Sequence, residues 1–360
     1  MKLHIGAPRI LAFSIRTTSI ASRVSRRTSP SPHDPKTRFT RHFTTMKAVQ
    51  ILGERGKHQL ALSDSLPRPT PAGKELLIKV HAAGITADEV SWVEVYKTPS
   101  RIPGHDISGT IAQLGPDYSG PFTVGDAVFA MLHADRGQGM AEYALASAEE
   151  VAPKPKTISH AQAAALPIPV VTAWEALFRH AELKSRARIL VTGASGAVGQ
   201  MLVQIAKHVV DAEVVALGSV QKHELLRELG AAEVVDYNVE NWDETIKEVD
   251  AVFDTAGGLV LSKSWKVVKG DGVIVTVADP PPAWAFTKEL PTELSSKPGV
   301  KYIYFVLEPD SAALEKVGDL IDRGAVKTLP VVEYPVSEAL EAWKAAGQRS
   351  RKGKVVINFV

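Results

Sequence analysis

Apolar and polar residues along this chain change their spacing as the sequence proceeds. From Met46 the pattern is that of short strands: MKAVQIL at 46–52, LLIKV at Leu76–Val80 after the turn-forming PRPTPAGKE, and Ile107–Ile111 after the turn PGH. The stretch Gly104–Met131 is rich in glycine and β-branched residues at strand spacing, which predicts a lobe of irregular short strands. Near Ser159 the period lengthens. HAQAAALPIP and TAWEALFRHAEL set apolar residues three and four apart and predict helices.

From Arg188 strands and helices alternate. The pattern predicts a strand at Arg188–Thr192, a glycine turn at Gly193–Gly199, a helix at Gln200–Val209, a strand at Glu213–Leu217 and a helix at Lys222–Leu229. Strands follow at Glu233–Asp236, Asp250–Asp254, Gly272–Val277 and Tyr302–Leu307. Such alternation predicts a parallel, doubly wound sheet with right-handed crossovers. At the end, LPVVEYPV and GKVVINFV return to strand character around a helix at Ser337–Ala346. The expected fold class is α/β, with a β-rich lobe and a doubly wound lobe.

The length of 360 residues suits about two domains of roughly 150 residues. We place the β-rich lobe at 46–167, the doubly wound lobe at 168–327 and a return to the first lobe at 328–360. Residues 1–45 are different. They hold nine Lys or Arg against the single acid Asp34, a net +8, and thirteen Ser or Thr, so the remaining 33 basic and 39 acidic residues give −6. This is the composition of an organelle transit peptide. A disordered basic tail, or upstream sequence left out when translation starts at Met46, stays open. The expected location is the mitochondrion, or the cytoplasm if Met46 is the start. The longest uncharged stretch, Thr157–Trp174, is broken by Pro167 and Pro169, so no integral membrane segment is expected. The −6 balance of the folded part speaks against a nucleic-acid partner.

GASGAVG, between a strand and a helix, carries the first chemistry. A dinucleotide site needs a tight turn after the strand, an open approach of pyrophosphate to backbone N–H groups, and close helix packing. Gly193, Gly196 and Gly199 answer these needs, with Ser195, Ala197 and Val198 supplying intervening backbone. The next strand ends Leu217, Gly218, Ser219 with no acid before Glu224. An NAD site normally has an acid there for the ribose 2′-OH, whereas Ser219 and Lys222 suit a 2′-phosphate. The expected cofactor is therefore NADPH.

The ordered motifs IPGHDISG, FTVGDAVFA, AAALPIPVVTAWEAL, VTGASGAVG, ELGAAEVVDY and the terminal GKVVI resemble the zinc-independent, quinone oxidoreductase-like branch of the medium-chain dehydrogenase/reductase superfamily. The resemblance covers residues 46–360. It implies a GroES-like catalytic lobe, a Rossmann cofactor lobe, a substrate cleft between them and a homodimer. It also implies that Tyr237 lies by the adenosine end of the cofactor and Thr172 near the nicotinamide.

Zinc-dependent relatives carry a catalytic Cys in the segment that here reads AAGITADEVSW, and Thr86 stands in its place. The whole chain has no cysteine, so the family's zinc sites are not assembled in its usual way, and no metal is expected. His105 and Asp106 match the family's corner and are expected to hold a turn together. Zinc-free relatives usually read Asn-x-x-Asp where this chain has Thr86 and Glu89. Thr86 offers one hydroxyl toward a substrate carbonyl. Glu89 either orients the cofactor-side network or hydrogen-bonds within its lobe, and Tyr96 is either a proton donor or gate, or a loop aromatic on Trp92. The expected activity is NADPH-dependent hydride transfer to a quinone or an α,β-unsaturated carbonyl substrate. A trans-2-enoyl thioester reductase and a non-catalytic NADPH-binding sensor remain alternatives.

Overall fold

The computed structural model describes residues 44–278, 280–287, 290–348 and 351–360, all within one compact unit. The basic segment 1–45 therefore lies outside the described residues except for Thr44 and Thr45. The chain opens with β1 (Thr45–Leu52) and β2 (Gln59–Pro67), an antiparallel pair. Then come β3 (Leu76–Gly84), the short helix α1 (Val93–Lys97), β4 (Asp106–Leu114), β5 (Ala127–Met131), β6 (Tyr143–Ala146) and β7 (Val151–Pro153). Two helices, α2 (His160–Ala164) and α3 (Pro167–Trp174), lead out of this lobe. Ser159 caps α2 by accepting from the Gln162 N–H while the Gln162 side chain accepts from the Ser159 N–H. Beyond Trp174 the helix continues as a wider π turn through His180.

The second lobe comprises β8 (Arg188–Val191), α4 (Ala197–Val210), β9 (Glu213–Gly218), α5 (His223–Glu228), β10 (Glu233–Asp236), α6 (Trp242–Thr245), β11 (Val249–Asp254), α7 (Gly258–Val267), β12 (Val268–Thr276), β13 (Lys301–Tyr304) and α8 (Ser311–Asp322). Its six strands pair in parallel in the order β10-β9-β8-β11-β12-β13. Renumbered within the lobe this is 3-2-1-4-5-6, the doubly wound order with its switch point beside the first strand. The strands are apolar on both faces, as a sheet covered by helices on both sides requires.

The chain ends in β14 (Val331–Pro335), α9 (Ala339–Ala346) and β15 (Lys354–Asn358). These strands join the first lobe. Its main sheet runs β14-β15-β3-β4-β5-β7, with β6 paired to β3. A single apolar core unites Phe129 and Ala152 of this sheet with α3, α4, α8 and the parallel sheet. Both connections are pinned by polar contacts. Asp322 at the end of α8 accepts from the Lys156 and Thr157 N–H groups at 3.0 Å, and buried Gln204 of α4 exchanges hydrogen bonds with the Lys327 backbone.

Several expected elements have different bounds. The glycine turn is shorter than the expected Gly193–Gly199, because Ala197, Val198 and Gly199 already form the first turn of α4. The strand expected at Tyr302–Leu307 ends at Tyr304, and Val306 is exposed. The helix expected from Lys222 begins at His223, after a 3-10 turn over Val220–Lys222. Strand β2 is an element the pattern did not announce, since much of it faces water and its apolar alternation is weak. Helices α7 and α8 were not anticipated either, although Ala313, Leu314, Val317 and Ile321 form a helical stripe on α8 and Asp310 caps it.

On the first lobe the rings of His81 and His160 lie 4.2 Å apart. Ser108 Oγ donates to the Val128 carbonyl at 2.8 Å and so accepts from His160 Nδ1 at the same distance. Burial, His81 and Lys154 together lower the His160 pKa from 6.5 to about 4. The folded chain therefore binds fewer protons at this imidazole than the unfolded chain between those two values. Its stabilising contribution is present above pH 6.5 and is lost as the pH falls through about 4. Urea unfolding across this range should show stability falling with acidification, and His160→Gln should flatten the decline. An unchanged slope in the variant would remove His160 as its source.

Candidate active site

Two groups of side chains lie at the carboxyl ends of strands and at the start of α3. The first surrounds the glycine turn. Gly193 sits at φ +58°, and a Cβ there would run into the Thr255 hydroxyl. At Gly199 a Cβ would overlap the Gly193 carbonyl and the Ala194 backbone. Gly196 is the residue before α4 and leaves the first-turn N–H groups without a side-chain cap. The helix thus presents free donors and its positive dipole end.

Asp254 anchors the floor of this cradle. It is buried at the end of β11, and its Oδ1 accepts from Thr192 Oγ1 at 2.5 Å while Oδ2 accepts from Thr276 Oγ1 at 2.7 Å. The Gly257 N–H reaches the same carboxylate at 3.1 Å, and Thr255 Oγ1 donates to the Thr192 carbonyl at 2.9 Å. One carboxylate therefore ties together the ends of β8, β11 and β12. No spacing motif marks this network. Its only trace in the sequence is polar residues ending otherwise apolar strands.

Ser219 follows β9 and Tyr237 follows β10, directly after the paired residues Gly218 and Asp236. The side chains of Ser219, Lys222 and Tyr237 have no hydrogen-bond or ion-pair partner among the described residues, although the Lys222 N–H donates to the Ser219 carbonyl at 2.8 Å, and Lys222 and Tyr237 are exposed. The fold brings them to the same sheet edge as the glycine cradle. A rigid cradle, a free helix N-terminus and an unengaged hydroxyl and ammonium at the next strand end fit a dinucleotide.

The second group centres on Asp106. Its carboxylate is fully buried; Oδ1 accepts from the Ile168 N–H at 2.7 Å and Oδ2 pairs with Lys354 Nζ at 3.1 Å. The same ammonium donates to Thr86 Oγ1 at 3.1 Å. Ile168 in turn accepts from Thr172 Oγ1 through its carbonyl at 2.7 Å. A continuous chain of bonds thus runs from Thr86 through Lys354, Asp106 and Ile168 to Thr172, joining two residues that the sequence singled out separately. Burial pushes the Asp106 carboxyl up, against the opposing pull of Lys354 and the Ile168 N–H.

Glu89 and Tyr96 stand outside that chain. Buried Glu89 accepts from the Gly104 N–H, and its Oε1 lies 3.3 Å from His105 Nδ1. Burial of the His105 ring opposes its charging, but Glu89 and the Ala134 carbonyl outweigh it and the His105 pKa is raised. These contacts hold the corner at Gly104 and His105 within the lobe. The Tyr96 hydroxyl donates to the Val90 carbonyl at 2.8 Å; burial raises its pKa while Arg101 and Arg55 oppose the rise. Trp92 packs on His105, at 5.0 Å between rings.

The donors here do not suit zinc. Asp106 is engaged by Lys354, Glu89 by a backbone N–H, and the chain has no thiolate. Among the described residues no three His, Asp or Glu side chains converge as a metal-binding group. No helix among these residues is long and apolar enough to cross a membrane.

Residues 72–156 match the alcohol dehydrogenase GroES-like domain and residues 229–357 the zinc-binding dehydrogenase domain. The chain is 32% identical over 313 residues to a probable zinc-binding oxidoreductase, mitochondrial, of Arthroderma benhamiae, covering 81% of this chain and 92% of that protein. This chain belongs to the medium-chain dehydrogenase/reductase superfamily, in its zinc-independent, quinone oxidoreductase-like branch. A chloroplast envelope quinone oxidoreductase homolog of Arabidopsis thaliana is 31% identical, covering 81% of this chain and 92% of the relative. The solved quinone oxidoreductase of Coxiella burnetii superposes with a TM-score of 0.75 at 27% identity, over 88% of this chain and all of that one. The chain is thus an oxidoreductase of a nicotinamide-dependent superfamily.

The cradle admits little added volume. Gly199→Ala should destabilise the folded chain by ~1–3 kcal/mol, because the overlapped atoms are backbone and not a flexible side chain. Urea denaturation measures this, and a loss below about 0.5 kcal/mol would mean that the cradle yields.

Proposed function

We propose that this protein is an NADPH-dependent reductase of quinones or α,β-unsaturated carbonyl compounds that works without zinc. The observation that carries the reading is the chain of bonds from Thr86 to Thr172, which sets a hydroxyl and an ammonium together where a metal ligand would otherwise be expected. Reduction of a conjugated carbonyl needs stabilisation of a developing oxyanion and no redox work from the protein itself. The quinone oxidoreductase names of two of the similar proteins support the same substrate class.

In this reading Gly193, Ser195, Gly196, Ala197, Val198 and Gly199 receive the pyrophosphate through their backbone. Ser219 and Lys222 take the 2′-phosphate, Tyr237 flanks the adenosine, and Thr172 faces the nicotinamide ring. Bound there, the reduced nicotinamide supplies a hydride to the electron-poor carbon of the substrate. Thr86 meets the substrate oxygen. Glu89 acts as a support for the corner at His105, consistent with its burial and its bond to Gly104. Tyr96, with its proton committed to Val90, acts as a wall and not as an acid.

Steady-state assays with ortho-quinones, enones and enoyl thioesters, each with NADPH and NADH, test the reading. Turnover of quinones or enones with NADPH preferred is expected. Activity confined to enoyl thioesters would replace the substrate class, and tight NADPH binding with no turnover would favour a sensor. The variant carrying Ser219→Ala and Lys222→Ala should weaken NADPH by at least about tenfold and leave NADH within about twofold, since a phosphate loses two charge-assisted partners. Equal losses would remove the 2′-phosphate assignment. Elemental analysis of purified protein should find far less than one zinc per chain, and stoichiometric zinc held through dialysis would overturn the metal-free mechanism.

A further inference from the structure

We infer that Lys354, acting through the Thr86 hydroxyl, forms a two-step hydrogen-bond relay that stabilises the oxyanion developing on the substrate. The inference rests on the reductase reading for the placement of the substrate oxygen at Thr86. What it adds is the identity of the donor and the source of its strength.

Three hydroxyls stand as candidates to meet that oxygen, and their partners separate them. Thr172 donates to the Ile168 carbonyl at 2.7 Å, and Tyr96 donates to the Val90 carbonyl at 2.8 Å, so both protons are committed. Thr86 differs. Its Oγ1 lies 3.1 Å from Lys354 Nζ, and an ammonium has no lone pair with which to accept. The bond therefore runs from Lys354 to Thr86, and the Thr86 proton is left to donate elsewhere. Among the described residues no acceptor takes it. Thr86 itself is only half-buried.

Lys354 is equipped to polarise this hydroxyl. Its side chain is only 9% exposed and is held by the fully buried Asp106, whose second oxygen is fixed by the Ile168 N–H. A charged donor in surroundings of low dielectric polarises the next bond in line more strongly than it would in water. Asp106 aligns Lys354, Lys354 aligns and polarises Thr86, and Thr86 touches the substrate. Lys354 and Asp106 are thus positioning residues, and Thr86 alone is the contact.

The electron balance is simple. A bound reduced nicotinamide would supply the hydride, and the two electrons with it, that form a C–H bond at the electron-poor carbon. The displaced π pair would move through the conjugated system to the carbonyl oxygen, giving an enolate, which from a quinone becomes the hydroquinone anion by loss of the new carbon-bound proton to solvent and gain of one on oxygen. The Thr86 O–H bond stays intact and donates to that oxygen, and solvent supplies the proton that completes reduction.

The test combines kinetics with a binding probe that needs no turnover. Thr86→Val should lower kcat by about a hundredfold with KM changed by less than about threefold, the scale of one lost oxyanion donor, while Thr86→Ser should retain most activity. Lys354→Met should lower kcat by about tenfold or more in the wild-type background and have little further effect in Thr86→Val, and Lys354→Arg should restore part of the loss. The Met variant leaves Asp106 unpaired, so Lys354→Met combined with Asp106→Asn serves as the folded control if the single variant fails to express.

The probe is 4-nitrophenol bound to the cofactor-loaded protein, its ionisation followed by absorbance. Wild type should lower its apparent pKa by about one unit, and Thr86→Val and Lys354→Met should each return it toward the free value. An unshifted pKa in wild type, or a shift that survives both substitutions, overturns the relay. Additive kinetic losses of Thr86→Val and Lys354→Met also overturn it. A lysine-dependent shift without reduction of any quinone or enone upholds the relay and defeats the substrate reading. Reduction without coupling between the two residues does the reverse.

Discussion

The buried contact between Asp106 and Lys354 joins parts of the chain that lie 248 positions apart, and the candidate site is built around it. Asp106 begins β4, Lys354 begins β15, and the Ile168 N–H that Asp106 also accepts belongs to the first turn of α3. One carboxylate therefore fixes a central strand, the returning C-terminal strand and the helix that leads toward the parallel sheet. Negative charge at the start of α3 also meets the helix dipole favourably. Removing either member of such a pair would strand a charge in the interior at a cost of about 3–5 kcal/mol. The contact is a constraint on geometry more than a source of net stability, because desolvating both ions offsets much of their attraction.

Asp254 has the corresponding role at the carboxyl edge of the parallel sheet. It receives hydroxyls from Thr192 and Thr276 and the N–H of Gly257, so β8, β11 and β12 end in register around a single group. The glycine turn rests on this platform through the contact of Gly193 with Thr255. The rigidity of the turn thus comes from side chains packed beneath it at the strand ends. Fixing donors before a ligand arrives lowers the reorganisation cost of binding. The two buried carboxylates do related work with different partners, hydroxyls and backbone at Asp254, an ammonium and backbone at Asp106.

Much of the fold was legible in the sequence. The alternation from Arg188 onward predicted a parallel sheet because strands buried on both faces must be apolar throughout, and the strand order agrees with a doubly wound lobe. The glycines at 193 and 199 could be read because a side chain at either position would collide with neighbouring atoms. Strand β2 escaped notice because a strand half in water carries little periodic signal. The site was only partly legible. Thr86, Glu89 and Tyr96 stood out by position in a family motif, yet Glu89 holds a corner and Tyr96 spends its proton on Val90. Lys354 lay in the terminal GKVVI motif, but nothing in the sequence gave it a part in the site, since a lysine before an apolar strand reads as a solvated side chain.

By itself the sequence determined most of the element types, the glycine turn between β8 and α4, the absence of thiolate ligands and the lack of an acid after β9, all of which depend on residue type and short-range spacing. Tertiary structure alone decided which polar groups meet. Whether a hydroxyl proton is free depends on acceptors elsewhere, and whether a lysine is solvated or buried depends on a carboxylate supplied by another part of the chain. Those pairings arise only when β4, β15 and α3 converge, because hydrogen bonds act over about 3 Å while the partners are hundreds of residues apart in sequence.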